Sequence, residues 1–127
     1  MPKEIIVPKN VRKARGFSDA IKVGKTIYIA GQVARDENGV VVGKGDIVAQ
    51  TERAYENLKR VLDAGGAKFT DIVKMNIFCL DLDGFKKTGA ARRKYFGDHF
   101  PATTAVQVNR LMDADYLIEV EAVAVLD

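Results

Sequence analysis

Few of the residues that usually carry chemistry are present in this chain. It has one cysteine, Cys79, so no intrachain disulfide can form, and a reducing compartment is the natural home. It has one histidine, His99, so any Ser-His or Cys-His nucleophile would depend on that residue. No Gly-x-Ser-x-Gly pattern accompanies it, and it reads as a loop-packing side chain beside Phe100-Pro101. No His, Cys and Asp cluster has metal-ligand spacing. Gly39, Gly43 and Gly45 miss the dinucleotide and P-loop spacings and read as turn residues. No apolar run approaches the roughly 18 residues of a membrane span. Neither charge sign dominates, with 20 basic against 17 acidic residues, which argues against a nucleic-acid binder. The opening "MPKEIIVPKNVRKARG" holds five Lys and Arg, as a transit peptide does, but "EIIVP" reads as a strand. A cytoplasmic location is the expectation.

What is present is an ordinary globular pattern. The 127 residues suffice for one domain, and 47% of them are hydrophobic. "FSDAIKVGKTIYIAG" reads as a hairpin turning at Gly24-Lys25. A second turn at Asn38-Gly39 leads into a short apolar strand. Asp46 can cap a helix whose face holds Ile47, Val48, Thr51, Ala54, Tyr55, Leu58, Val61 and Leu62. Glu56 and Arg60 are spaced for an ion pair on its other side, and Gly65-Gly66 stops it.

"DIVKMNIFCL" alternates as a strand, with Val73, Met75, Ile77 and Cys79 on one face. A weaker second helix is expected over "DGFKKTGAARRKYFGDHF". Final strands are expected over 102–108 and 117–126. This order gives an α+β sandwich with both helices on one face of the sheet. Ile118, Val120, Ala122 and Ala124 are assigned to the helix side. The opposite face carries Leu117, Glu119, Glu121, Val123 and Val125, with Phe78 and Leu80. A face this apolar is a liability in a monomer, so copies of the chain are expected to cover it.

Two candidate sites stand out. Glu119 and Glu121 share a strand face with Cα atoms about 6.5 Å apart. They are either two solvated glutamates or a pair whose repulsion lets one keep its proton for acid-base work. Lys86, Lys87, Arg92, Arg93 and Lys94 crowd the second helix, with Lys86 and Arg93, and Lys87 and Lys94, seven residues apart. That stripe is either a solvated face or a phosphate contact, and it lacks interleaved aromatics.

"AGQV", "NLKRVLDAGGAKFTDIVKMNIFCLDLDGF", "FPATTAVQVNRL" and "IEVEAVAV" resemble the Rid family (RidA/YjgF), the reactive intermediate deaminases. The likeness makes residues 1–127 a single Rid-family domain. It implies a chorismate-mutase-like sandwich assembled as a homotrimer, with the sheets forming an inner barrel and small-molecule clefts between subunits. It implies hydrolysis of imines or enamines without a cofactor or metal, and no membrane partner.

Residue by residue, the likeness makes Glu119 the carboxylate that orients water and places the Gly31-Gln32 backbone along the cleft. Thr103 stands where deaminating members have a carboxylate-binding arginine. Phe17 stands for a tyrosine, Gly89 for an asparagine and Ala105 for a cysteine. Arg110 matches a family arginine and reads as structural. A shorter, neutral pocket is therefore expected at residue 103, ill suited to amino-acid-derived imines. The alternatives are a ligand-binding or regulatory trimer without turnover, or an RNA-directed activity.

Overall fold

The computed structural model describes all of residues 1–127. Six strands form one mixed sheet: β1 (Lys3–Ile6), β2 (Ala20–Val23), β3 (Thr26–Val33), β4 (Ile72–Cys79), β5 (Ala102–Gln107) and β6 (Ile118–Val125). Their order is β1-β2-β3-β6-β4-β5. All neighbours are antiparallel except β4 and β5, which run parallel. A parallel pair needs a crossover. Here the crossover holds α2 (Leu82–Phe85), a 3-10 turn over Lys86–Thr88, and α3 (Gly89–Phe96).

The long helix α1 (Ile47–Gly65) packs on the same face. It starts where Asp46 accepts hydrogen bonds from the Val48 and Ala49 backbone N–H groups at 3.0 and 3.1 Å. Gly66 ends it in the left-handed region at φ 77°, a conformation glycine reaches without a Cβ clash. Asp46→Ala should therefore cost about 1 kcal/mol, read as a lower urea midpoint with an unchanged slope. An unmoved midpoint would show that the cap bonds are replaced by water at no loss.

Tyr55, Leu58, Val61 and Leu62 of α1 pack on Ile27, Ile72, Met75, Ile77, Ile118 and Val120 of the sheet. Burial of each such side chain is worth roughly 1.5–3 kcal/mol. The buried face of α1 also includes Gln50 and Asn57. Gln50 donates to the Asp115 carbonyl at 2.9 Å and accepts from the Leu117 N–H at 2.8 Å. Asn57 donates to the carbonyls of Val33 and Arg35 at 2.8 and 2.9 Å. These amides satisfy loop groups that would otherwise be buried unpaired.

The structure corrects five sequence expectations. Ile72, not Val73, points into the core, because β4 gains a residue between Ile72 and Lys74 against β6 and the alternation resets. The second helix is broken into three short pieces. The strand after Asn38-Gly39 is a single bridge between Arg35 and Val41, as the Asp36 carboxylate holds a turn through the Asn38 and Val40 N–H groups. Val48 is exposed. Arg60 reaches Glu37 at 3.9 Å and the Asn10 carbonyl, not Glu56.

The helix-free face is as apolar as expected. Tyr28 is 55% exposed, and Val106, Val73 and Val125 are exposed beside the half-buried Phe78 and Val123. All six residues of β5 are exposed, and β5 is a sheet edge.

Candidate functional site

Glu119 lies on the helix-free face, opposite Phe78 in register, with Glu121 beyond it opposite Asn76. The two carboxylates have different surroundings. Glu121 accepts a hydrogen bond from Asn76 Nδ2 at 3.0 Å. Glu119 instead lies over the β3 backbone. There β3 advances from Ile29 to Gln32 while β6 moves only from Ala122 to Val120, so Ala30-Gly31 form a bulge. A Cβ at Gly31 would fall 2.6 Å from Glu119 Cδ, so only glycine lets the carboxyl lie there. Gln32 secures the bulge, donating to the Ala30 carbonyl at 3.1 Å and to the buried Asp19 at 3.4 Å.

Burial, and then the negative charge of Glu121, raise the Glu119 pKa above its ordinary 4.5, with Arg35 opposing. The sequence-level reading missed Arg35 and Asn76. Neither lies near Glu119 in sequence, and only the strand register brings them close.

Thr103 pairs with Met75 and Ala105 with Ile77, so both side chains lie on the helix side of the sheet. Thr103 and Gly89 line one cavity of about 460 Å³ with Tyr55, Met75, Ile77, Phe85, Thr88, Phe100 and Pro101. Lys86 and Arg92 also line it. The neutral pocket expected at residue 103 therefore describes that side chain and not the cavity wall. Thr103 itself turns back, its hydroxyl donating to the Pro101 carbonyl at 2.8 Å.

Phe17 is 51% exposed and lines a separate cleft with Ile5, Val7 and Asp19. The six candidate residues thus fall into three places within one chain: Gly31 with Glu119, Gly89 with Thr103 and Ala105 nearby on its strand, and Phe17 apart from both. Arg110 folds onto its own turn, donating to the Leu111 carbonyl at 3.2 Å, and lines none of these cavities.

The remaining singled-out residues have structural roles. His99 Nε2 donates to the Ile72 carbonyl at 2.6 Å and pins the loop to β4. Cys79 is fully buried, and burial pushes its thiol pKa up, away from reactivity. The basic stripe is interrupted. Lys86 pairs with Asp83 at 3.6 Å, and Arg92 turns onto the Phe100 ring at 4.4 Å.

The class defined here is an α+β sheet-and-helix unit with a glycine bulge beneath a half-buried carboxylate, and the relatives say which family it belongs to. The family model described as Endoribonuclease L-PSP matches residues 8–126. A RutC family protein of Pyrococcus abyssi is 45% identical over 126 residues, 98% of each chain. A 2-iminobutanoate/2-iminopropanoate deaminase of Dermatophagoides farinae is 32% identical over 127 residues, 99% of this chain and 98% of that one. The crystal structure of the E. coli YjgF gene product matches with a TM-score of 0.87 at 34% identity, over 96% of this chain and 98% of that one. The chain belongs to the L-PSP family, the YjgF/RidA group. No helix is long and apolar enough to cross a membrane.

Proposed function

We propose that this chain forms a homotrimer that binds a small metabolite in clefts between subunits and hydrolyses an imine, enamine or related C–N bond there. The observation that carries the chemistry is Glu119, a carboxyl with a raised pKa lying over the Gly31 bulge. Such a group can take a proton from water as the oxygen adds to an imine carbon. Returning that proton to nitrogen completes a carbinolamine, and carrying its hydroxyl proton to the same nitrogen then breaks the C–N bond, leaving a carbonyl compound and ammonia.

Two features support an assembly of copies. The helix-free face and the β5 edge are uncovered in one chain. The candidate residues also lie on opposite sides of the sheet, so a ligand meeting Glu119 and Thr103 together must sit between two copies. Residues 1–127 act as one domain in this reading, and no cofactor or metal is required. The position of Thr103 favours a second reading, a ligand-binding trimer without turnover, because no guanidinium projects from β5.

Sedimentation equilibrium should give about three times the 13.9 kDa chain mass. A panel of freshly generated imines, some bearing carboxylates and some neutral, should release ammonia faster with the protein than in buffer. Acceleration of none would leave the binding-only trimer standing, and a stable monomer would remove the cleft altogether.

A further inference from the structure

The cavity beside Thr103 holds a charge that residue 103 does not supply. Arg92 of α3 lies along its wall with the guanidinium carbon 4.4 Å from the Phe100 ring centroid and 6.0 Å from that of Phe96. One of its amino groups donates to the His99 carbonyl at 3.3 Å. The loop beneath it is fixed by the bond from His99 to Ile72. A guanidinium carries five N–H donors, so several remain for a ligand. Its charge is also unmatched, since none of the chain's ion pairs includes it. Lys86, by contrast, is paired with Asp83 and largely exposed.

A second group points to the same cavity. Tyr55 is 1% exposed yet lines the cavity, and its hydroxyl has no hydrogen-bond partner within the chain. The hydroxyl itself reaches the cavity space, where a ligand oxygen can accept its hydrogen bond. Burial pushes its pKa up to about 12, with Arg92 the opposing charge, so it stays a proton donor at neutral pH. The remaining wall is apolar, through Met75, Ile77 and Phe85.

The geometry points to Arg92 as the specificity-determining residue of the cleft, holding a small monocarboxylate from helix α3, with Tyr55 as the second donor. One fixed planar fork with one neutral hydroxyl matches a carboxylate, and the apolar wall accepts a short side chain. A phosphate dianion would find too few donors and a single unpaired charge. This assignment rests on the cleft reading above and names its ligand class.

The test is calorimetry with 2-oxobutyrate and its neutral amide, 2-oxobutanamide, on the full-length protein. The carboxylate should bind about tenfold more tightly than the amide. Arg92→Gln should abolish that preference, while Arg92→Lys should keep part of it and confirm that charge matters. Lys86→Gln should leave it within about twofold, as an exposed, already paired cation adds little. Equal binding of acid and amide to the unmodified protein, binding of neither, or a preference that survives in Arg92→Gln would overturn the assignment. The unmodified comparison decides even where a variant folds poorly. Because the readout is equilibrium binding, the two readings fail separately. A retained acid preference without turnover sinks only the hydrolase reading. Turnover of neutral imines with no acid preference sinks only this one.

Discussion

Glu119→Gln is expected to lower ammonia release by about 10²- to 10⁴-fold while the protein stays folded and assembled. The amide keeps the shape of the carboxyl over Gly31 but cannot accept the proton of an attacking water. The pH dependence gives an independent check. In the unmodified protein the rate should rise with pH as Glu119 ionises, through a pKa above 4.5. That limb should vanish in the variant.

Stability should move the other way. An acid whose folded pKa is raised is held preferentially protonated by the fold. Its ionised form therefore costs stability above that pKa, and the cost is absent at pH below the unfolded value. The neutral glutamine carries no such cost, so the variant should be at least as stable at neutral pH. Full turnover by Glu119→Gln, with the acid limb intact, would move the chemistry to another group.

Tyr28→Glu is expected to convert the proposed trimer to single chains and remove the proposed turnover with it. Tyr28 is exposed in the isolated chain, where it pairs with Ile21 and Val123, so a glutamate there is solvated and leaves the subunit fold unharmed. In the assembly the same side chain would bury an unpaired carboxylate in every copy, at several kcal/mol each. The nearest cation on that face, Lys74, lies two strands away and already donates to Thr104 at 3.3 Å. Sedimentation and circular dichroism together decide the matter. An active trimer in this variant would show that the helix-free face is not where copies meet.

The strands and the long helix were legible in the sequence because each has a period and punctuation that local physics enforces. Asp46, Gly66 and the run from Thr51 to Leu62 reappear in the structure almost as written. Several of the misses share a cause, which is contact between residues far apart in the chain. A one-residue bulge at Val73 swaps the faces of the first residues of a strand, and counting by twos cannot detect it. Gln50 and Asn57 are polar residues on a helix, and only their distant carbonyl partners justify burying them.

The charge of the cleft was hidden in the same way. Arg92 belongs to a surface stripe with Lys86 and Lys87 only if one continuous helix runs through all three. The break at Lys86–Thr88 and the pinned His99 turn it onto Phe100 instead. Glu119 was visible as half of a carboxylate pair. The asymmetry between it and Glu121 depends on Asn76 and Gly31, which the sequence places far from both.

The place of β6 in the sheet has a consequence for how the molecule is made. It lies between β3 and β4, yet it follows every other strand in chain order. As the polypeptide leaves the ribosome, β1–β3 and β4–β5 can each form, but they have no hydrogen-bonded seam between them until β6 arrives. Until then α1 has only a divided floor to lie on, and two open sheet edges face solvent. Synthesis therefore passes through a long exposed interval that ends in one late insertion, a sequence of events in which slow translation or a missing final strand invites mispairing between nascent chains.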